Sequence, residues 1–531
     1  MSSKNTIQNQ SQLSTEVNPG IRIFLMLIVA IVTFVFFAQK IVFINADLGR
    51  HLENGKVFLE QHKVISTNFY SYTEPDFPVI NHHWGSGVLL YIIYKSMGFQ
   101  GISLFYCLIS VITVLLFYSV AEKRSHSYLV FFFFMICIPL IANRVEIRPE
   151  MFSMFLLGLY VFLLEKYKSG ALSYKKLLII LPLLQLLWVN LHIFFVMGLM
   201  LIVIYGISEW LNKKENVVKN YSLLLAVSAV VCLLNPAGLM GALTPLTIFT
   251  NYAYMIAENQ SIAFMQNRFG TLDYVHFEIV TLIVLAIAFV LGVKFRDKLM
   301  KYSAELLCLL IFSVLAFKAI RGIPVAAYFF LAFAPVLFIQ IIDNIVIKTR
   351  KRILTVTLAL SFLFLCISVG KADTYFSAFK QRSGLGLYKE INRSADFFKS
   401  VYAQGPIFNN YDIGGYLIFS LFPGQRVFVD NRPEAYSADF FNKIYNPMLE
   451  KEEVWQKMDS TYKFNCIYFF RLDETPYGQP FLIRRLSDRA NWAPVYVDAV
   501  TLIFLRRNEQ NKTVIQQFEL PKEMFESKPT G

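Results

Sequence analysis

Long apolar runs separated by short polar loops dominate the chain, and this pattern limits what it can fold into. Of the 531 residues, 56% are hydrophobic and only 16% are charged, and 51 positions are Phe. Soluble domains do not contain so high a fraction of apolar residues. Runs of this length and composition predict transmembrane helices. We therefore predict a mainly α-helical, polytopic membrane protein.

The apolar runs predict about 11 transmembrane helices. The predicted spans are residues 21–45, 101–121, 127–142, 151–165, 177–190, 193–212, 221–235, 276–293, 303–318, 322–346 and 353–370. The apolar segment 85–98 is too short to cross a bilayer and predicts a helix lying along the membrane interface. Residues 1–20 are polar and lack the features of a signal peptide, which predicts a flexible cytoplasmic tail and a retained first span.

Basic residues are distributed unequally between the loops on the two sides. The loops that we place inside are short and carry Lys123, Arg124, Lys166, Lys168, Lys175, Lys176, Lys213, Lys214, Lys219, Lys294, Arg296, Lys298, Lys301, Lys348, Arg350, Lys351 and Arg352. The loops placed outside are longer in total but hold about half as many basic residues. This asymmetry predicts a cytoplasmic N-terminus and an extracytoplasmic C-terminal part, in the cytoplasmic (inner) membrane.

The net charge of +13 follows the same division. Residues 1–370 hold 29 Lys+Arg and 18 Asp+Glu, whereas residues 371–531 hold 21 and 19. The basic excess thus belongs to the membrane part, where it sets the topology. We expect membrane lipids to surround this part. We therefore predict no nucleic-acid partner.

From residue 371 onward the sequence alternates between short strand-like and helix-like stretches. Strand-like runs lie at 406–408, 426–430, 466–471 and within 494–507, and helix-like stretches lie near 386–402, 436–446 and 449–460. About 160 residues suffice for one domain. We predict three parts: the tail 1–20, a transmembrane domain 21–370 with a large first outer loop 46–100, and an extracytoplasmic α/β domain 371–531.

Two polar loops of the predicted α/β domain, FNNYDIGGYL and VDNRPEAY, follow strand ends, where α/β sheets tend to bind ligands. A turn with positive φ at Gly414 or Gly415 is an equally good interpretation of the glycine pair.

Ionisable residues are concentrated directly after the first span. They are Asp47, Arg50, His51, Glu53, Glu60, His62, Glu74, Asp76, His82 and His83. Asp47 and His51 stand four residues apart and share one face if this stretch is helical. Ionisable groups at a membrane face usually mark a site. The alternative is an ordinary wetted loop, in which Asp47 only caps a helix beginning near Leu48.

Other outer loops carry single polar residues beside predicted span ends. Asn190 and His192 lie in WVNLH, and Arg321 lies in IRGIP. Arg148 precedes a proline in the first turn of a span. A lone histidine at a helix end is more often a cap or an interface group than a ligand. The loop at 236–275 contains Glu258 and is rich in Met and aromatic residues, which favours an amphipathic lid over a disordered linker.

The order and spacing of these motifs resemble the GT-C glycosyltransferases, in particular an uncharacterised bacterial branch of that superfamily. The matching elements are Asp47–His51–Leu52–Gly55, Ser71–Tyr72–Thr73, Asn81–His82–Trp84, Arg148–Pro149, Trp188–Asn190–His192, Asn235–Pro236, Arg321, Gly414–Gly415–Tyr416, Asp430 and Arg432. The resemblance extends from about residue 21 to residue 507. It implies an integral membrane enzyme that takes a sugar from a polyprenyl-phosphate donor and transfers it to a lipid, glycan or protein acceptor of the cell envelope.

The resemblance also implies roles for individual residues. Asp47 is the candidate base and His51 its neighbour in catalysis, while Arg148 and Arg321 are candidates for binding the donor phosphate. His82, His83, Asn190, His192 and Glu258 are further candidates for substrate binding. No cofactor is firmly predicted; a divalent ion held by His82 or His83 with a carboxylate is an alternative that the spacing leaves open.

Two other functions compete with the glycosyltransferase. A non-catalytic GT-C-like scaffold would bind an envelope polymer or a partner protein through its C-terminal part. A transporter would need charged residues at mid-depth or repeated broken helices, and the predicted spans have neither. The glycosyltransferase and the scaffold differ in whether Asp47 is needed for sugar transfer.

Overall fold

The computed structural model describes residues 17–44, 46–247, 254, 256–270, 274–370 and 383–525. Its N-terminal part is helical, as the apolar runs predict. The helices are α1 Pro19–Phe37, α2 Leu48–Gln61, α3 Trp84–Glu122, α4 Ser127–Ile141, α5 Glu150–Lys168, α6 Tyr174–Leu191, α7 Val196–Leu211, α8 Val217–Val231, α9 Gly238–Thr247, α10 Ile262–Phe269, α11 Val275–Lys294, α12 Ser303–Lys318, α13 Ile323–Ile342 and α14 Ile347–Gly370. Short 3-10 turns lie at Ile193–Phe195, Ala257–Asn259, Arg296–Lys298 and Ile320–Gly322.

Each of the predicted spans overlaps one of these helices, but the helix in the first span, 21–45, already ends at Phe37. Within the described ranges, six helical segments are long and apolar enough to cross a membrane, and α4 and α8 are shorter apolar helices. The chain is therefore a multi-pass membrane protein. The number of 11 crossings stays a prediction, since several helices fall short in length or carry charges near their ends.

Helix α13 is the centre of the bundle. In its most apolar window, 83% of the residues are buried inside the protein, compared with 28% for α1. A helix that is hydrophobic all round must be surrounded by other helices or by lipid. The sequence of α13 contains no charged residue, and α3, α4, α11 and α12 pack against it.

Helix α3 contains a break that separates its first turns from its membrane-spanning half. Gly98 adopts a φ of +63°, which glycine reaches without steric cost. The preceding arm is the segment predicted to lie along the interface, and it is helical. It packs closely on α2, because a Cβ atom on Gly55 would lie 2.2 Å from the carbonyl oxygen of Gly87.

The C-terminal part contains a four-stranded mixed sheet with short helices around it. Its strands are β1 Ile407–Asn409, β2 Cys466–Phe470, β3 Trp492–Val497 and β4 Thr501–Arg506. Its α-helices are α15 Ser394–Ser400, α16 Gly414–Leu421, α17 Asn446–Glu450, α18 Glu452–Tyr462, α19 Gly478–Ser487 and α20 Lys512–Phe518. It also has a π-helix at Phe440–Tyr445 and 3-10 turns at Lys389–Ile391, Tyr411–Ile413, Pro433–Ala435 and Lys522–Met524. The strand order is β1-β2-β4-β3, with β1 and β2 parallel and the other two pairs antiparallel.

The predicted strand at 426–430 is wrong, although the segment lies beside β1. The Asn409 side chain accepts a hydrogen bond from the Phe428 amide at 2.9 Å and donates one to the Val429 carbonyl at 2.7 Å. A side chain thus replaces the backbone ladder of a strand. The backbone of Val427 pairs instead with Tyr70 and Tyr72 of the first outer loop. The predicted helix 386–402 is also shorter than expected, since α15 begins only at Ser394.

The Ser71–Tyr72–Thr73 motif fastens the first outer loop to the C-terminal part. The hydroxyls of Ser71 and Thr73 donate to the Phe428 carbonyl at 3.0 and 2.9 Å. The Tyr72 hydroxyl donates to the Ile407 carbonyl at 2.8 Å. These hydrogen bonds hold the first outer loop against the C-terminal part, although the two are far apart in the sequence.

The glycine pair has a packing role rather than a turn role. Gly414 adopts a helical φ of −57°, so the interpretation that requires positive φ is wrong there. A Cβ atom on Gly415 would lie 2.8 Å from the Ala46 carbonyl oxygen, and one on Gly49 would lie 2.4 Å from the Gly415 carbonyl oxygen. Helix α16 can therefore approach the start of α2 only because both glycines lack side chains. This contact brings the C-terminal part against Asp47.

Candidate functional site at one end of the helix bundle

Asp47 lies between the end of α1 and the start of α2. It occupies the position before Leu48, but its side chain makes no capping hydrogen bond to the α2 backbone. The capping interpretation of Asp47 is therefore wrong. Its Oδ1 atom lies 3.5 Å from Nη2 of Arg50, and its Oδ2 atom lies 3.6 Å from Nη1 of Arg148. The carboxylate thus faces two guanidinium groups and remains available for chemistry.

Arg148 belongs to a larger network that converges on Glu258. Its Nη1 atom donates to Oε2 of Glu258 at 2.9 Å. Arg144 donates to the same oxygen at 2.5 Å, and Nη2 of Arg321 lies 3.7 Å from Oε1. Three guanidinium groups from two separate loops therefore surround one carboxylate. Guanidinium groups pair with carboxylate and phosphate oxygens alike, and here they pair with a carboxylate.

Arg321 is held in place by further contacts. It donates to Glu150 at the start of α5 at 2.8 Å and to the Asn259 side chain at 2.8 Å. On the other side of the network, Nη2 of Arg148 lies 2.7 Å from Oε2 of Glu146. The loops between α4 and α5, α9 and α10, and α12 and α13 are thereby tied to the Asp47 region.

The network is partly open to solvent. The side chains of Asp47, Arg148, Glu258 and Arg321 retain 18% to 24% of their exposure. A recess of about 40 Å³ is lined by Arg144, Glu146, Glu150 and Arg321 together with apolar residues of the bundle, Phe37, Tyr106, Met151, Pro324 and Tyr328 among them. Charged groups and an apolar wall therefore meet at this position.

Electrostatics keep Glu258 ionised. Burial by itself would raise the pKa of this carboxyl, but Arg148, Arg144 and Arg321 together lower the pKa below its ordinary value. The carboxylate acts as an anion among the guanidinium groups.

Four predicted histidines form a second cluster. The His83 ring lies 5.2 Å from the His51 ring, 4.5 Å from the His82 ring and 5.1 Å from the His192 ring, measured between centroids. Burial lowers the pKa of His192 to about 3, and burial together with Arg50 lowers the pKa of His82 to about 4. Burial likewise holds the pKa values of His51 and His83 well below 6.5. The cluster is therefore neutral at pH 7.

The histidine cluster and the arginine network lie beside each other. The His192 ring lies 4.6 Å from the Phe194 ring, and the Arg321 guanidinium lies 5.2 Å from the same ring on a cation–π contact. Ser153 of α5 shares a hydrogen bond of 2.8 Å with His192. His51 lies one helical turn after Asp47, so both clusters also meet at the start of α2. The predicted residues from separate outer loops thus converge at one end of the bundle.

The Asn190 side chain makes hydrogen bonds within the protein. Its side-chain oxygen accepts a hydrogen bond from the Trp84 indole at 2.9 Å, and its side-chain nitrogen donates to the carbonyls of Leu186 and Leu234. In this arrangement the amide fixes α3 to the ends of α6 and α8. Contact of Asn190 with a substrate stays a prediction.

Several residues of the site escaped prediction. Arg144, Glu146 and Glu150 belong to the network, and their signal was the density of charge in the short loop NRVEIRPE. Asp412, on the 3-10 turn Tyr411–Ile413, also faces this region. Burial, Asp473, Glu474 and Asp47 raise the pKa of Asp412 to about 7. The sequence signal was its place in the loop FNNYDIGGYL.

The site does not provide a ready-made metal centre. Within the described ranges, no three His, Cys, Asp or Glu residues are arranged to hold a metal ion. Both oxygens of Asp47 face guanidinium groups, which repel a cation. The histidines of the cluster contact one another through their rings. We assign none of the chemistry to a metal ion.

The fold and this site define a multi-pass membrane protein whose polar chemistry lies at one end of its helices. No family model matches the chain, and no curated protein matches it in sequence. Solved structures resemble it. The oligosaccharyltransferase of Archaeoglobus fulgidus in its apo form superposes with a TM-score of 0.57 at 11% identity, covering 92% of this chain and 74% of that one.

Two further structures show the same likeness. AglB, the oligosaccharyltransferase of Archaeoglobus fulgidus in complex with an inhibitory peptide and a dolichol-phosphate, gives a TM-score of 0.56 at 13% identity, with coverage of 92% and 74%. The mycobacterial arabinofuranosyltransferase AftD gives a TM-score of 0.54 at 13% identity, covering 93% of this chain and 40% of that one. These proteins are GT-C membrane glycosyltransferases. The chain has the GT-C fold, and the resemblance that its motifs predicted is confirmed at that level.

Proposed function

We propose that this protein is a membrane glycosyltransferase. It moves a sugar from a polyprenyl-phosphate-linked donor to a hydroxyl of a lipid, glycan or protein acceptor at the outer face of the cytoplasmic membrane. The observation that supports this most directly is the position of the Asp47 carboxylate, which makes no capping hydrogen bond and lies 3.6 Å from the guanidinium of Arg148. A base and a phosphate-binding group are the two elements that transfer from a glycosyl phosphate needs.

Asp47 serves as the base. The acceptor oxygen forms a bond to the anomeric carbon of the sugar while the bond between that carbon and the phosphate oxygen breaks. The hydroxyl proton passes to Asp47, and the electron pair of the broken bond remains on the phosphate. Polyprenyl phosphate is a good leaving group, so the departing oxygen needs charge stabilisation more than it needs an acid.

Arg148 and Arg321 bind the donor phosphate, with Arg144 beside them. A guanidinium pairs with two phosphate oxygens at once and keeps its charge at any physiological pH. Because Glu258 now lies among these three guanidinium groups, phosphate binding requires that its carboxylate move aside or share them. The apolar residues of the neighbouring recess would contact the first prenyl units.

The neutral histidines take part in recognition. An uncharged imidazole both donates and accepts a hydrogen bond, which suits sugar hydroxyls. The Nδ1 atoms of His51 and His82 are buried and have no hydrogen-bond partner within the described part of the chain. Buried polar atoms are normally satisfied, so a bound sugar is a suitable partner for them.

Transfer from a lipid-linked sugar tests this proposal. Membranes containing the wild-type chain are incubated with a radiolabelled polyprenyl-phosphate sugar, and the label in envelope acceptors is compared with that from Asp47→Asn. Glu60→Gln is the matched control, because Glu60 is an exposed carboxylate on the same helix. We expect transfer by wild type and Glu60→Gln and none by Asp47→Asn. Equal transfer by all three would assign the activity to another protein or to another base.

A further inference from the structure

A second recess lies at the opposite end of the helix bundle. Arg22 near the start of α1 lies 2.9 Å from Glu122 at the end of α3, whereas Asp47 follows the other end of α1. The recess is formed where α3 and α5 end, and its volume is about 360 Å³. The loops around it are those that the basic residues predict to be cytoplasmic.

The lining of this recess is strongly basic. Lys123, Arg124, Lys166 and Lys168 line it, with Glu165 as its single carboxylate. Excess positive charge in a concave site raises the local concentration of anions. Its walls include the apolar side chains of Val120, Phe162 and Ala171. The recess therefore combines a positive lining with an apolar surface next to the bilayer.

Two of the four cations are fixed by buried carboxylates. Arg124 donates to Glu165 at 2.6 Å and also to Glu305, whose side chain is completely buried. Lys168 donates to Glu305 at 2.9 Å. These ion pairs hold the ends of α3, α5 and α12 together. They account structurally for Arg124 and Lys168 but not for the other two lysines.

Lys123 and Lys166 have no ion-pair partner among the residues that the structure describes. Their ammonium groups lie 4.8 and 4.5 Å from the same ring, that of Phe162. Two like charges gathered at one ring repel each other, and an anion bound between them would relieve that repulsion. Both lysines also lie near helix C-termini, where a positive charge is favourable, so they can be retained without a ligand. A favourable position at a helix C-terminus does not explain the volume of the recess or its apolar wall.

We propose that this recess binds the phosphate group of an anionic lipid headgroup. Lys123 and Lys166 contact the phosphate oxygens, and Phe162 and Val120 contact the first acyl carbons. Arg124 and Lys168, neutralised by Glu165 and Glu305, hold the ends of α3 and α5 that carry the two lysines. Basic pockets between helix ends on the cytoplasmic side are suited to such headgroups. The site is separate from Asp47, and the inference does not depend on the proposed transfer reaction.

Retention of lipid by the purified full-length chain tests this inference. Native mass spectrometry measures bound lipid after exchange into detergent with phosphatidylglycerol or with zwitterionic phosphatidylcholine. We expect wild type to retain one phosphatidylglycerol in preference to phosphatidylcholine. The Lys123→Gln/Lys166→Gln variant should retain it about tenfold less, because each lysine near an anionic surface contributes to binding. Lys123→Arg/Lys166→Arg should retain it as wild type does.

The control variant is Lys175→Gln/Lys176→Gln, which removes the same charge from exposed lysines of the same predicted side outside the recess. It should bind lipid as wild type does, and thermal unfolding should show that all variants are folded. An equal loss in the control would mean that surface charge alone attracts the lipid and would overturn the site. Displacement of the lipid by millimolar inorganic phosphate would assign the recess to free phosphate and overturn the lipid headgroup.

Discussion

The Oδ2 atom of Asp47 lies 3.6 Å from Nη1 of Arg148, although the two residues belong to separate loops. The distance is too long for a hydrogen bond but short enough for a strong electrostatic interaction. The close approach of α16 to the start of α2 at Gly415 and Gly49 keeps the C-terminal part against this pair. Asp47, Arg148 and the C-terminal part thus meet at one position.

Asp47→Asn should reduce sugar transfer by about 10²–10⁴-fold, which is the usual effect of losing a positioned base. Asn retains the shape and one acceptor oxygen but does not take up a proton at neutral pH. Folding should be nearly intact, because the Asp47 side chain makes no capping hydrogen bond and its contacts with Arg50 and Arg148, at 3.5 and 3.6 Å, are partly exposed ion pairs. The measurement is transfer from a lipid-linked sugar, with the thermal unfolding temperature in detergent as the test of folding. Turnover near that of wild type would exclude Asp47 as the base.

Arg148→Ala should weaken donor binding as well as slow transfer, because a phosphate contact exists in the ground state and in the transition state alike. We expect a loss of about 10²-fold in transfer, comparable to removal of one stabilising donor in other enzymes. Donor affinity is measured by binding of a fluorescent polyprenyl phosphate. Arg268→Ala is the control, since Arg268 is an exposed arginine in the outer segment on α10. Unchanged donor affinity in Arg148→Ala would remove the phosphate assignment.

The topology predicts that reporter fusions after Arg352 and after Gly370 lie on opposite sides of the membrane. The reason is the cluster of basic residues at 348–352 before the last apolar run. Alkaline phosphatase fused after Gly370 should be active, and fused after Arg352 it should be inactive. Cytoplasmic signals from both fusions would mean that α14 does not cross and that the C-terminal part lies inside.

Much of the architecture could be predicted from the sequence because apolar runs and basic loops act locally. The convergence of Asp47, Arg148, Arg321 and Glu258 follows from the placement of their loops on one side. The partners within that group could not be predicted, since pairings such as Arg321 with Glu150 depend on how distant helices pack. Segment 426–430 illustrates the same limit. Its residues favour a strand, but the side chain of Asn409 and the backbone of the first outer loop occupy its hydrogen-bonding groups.

His82 should make the protein less stable as the medium becomes acidic. Its pKa is about 4 in the folded chain and near 6.5 when it is unfolded. Between these values the unfolded chain binds a proton that the folded chain excludes. The contribution of the neutral His82 to the free energy of unfolding is therefore fully present above about pH 6.5 and is lost as the pH falls towards 4. The unfolding temperature of His82→Gln should depend less on pH within this window than that of wild type. Above pH 7 the difference in unfolding temperature between the two proteins should be constant. An unchanged pH dependence in this variant would mean that His82 does not titrate as its buried position requires.

Glu258→Gln should strengthen the binding of polyprenyl phosphate. The wild-type carboxylate contacts Arg144 and Arg148 and lies 3.7 Å from Arg321, so it competes with any phosphate for the same guanidinium groups. Two unit charges at contact distance interact by up to about 4 kcal/mol near a protein surface, and partial exposure reduces this value. We therefore expect affinity to rise by about tenfold, measured with a fluorescent polyprenyl phosphate on the folded chain. Glutamine retains the size of the side chain, so packing of the loop should change little. If Glu258 instead holds the arginines in the binding geometry, the same variant would bind phosphate more weakly than wild type, and competition between carboxylate and phosphate would be excluded.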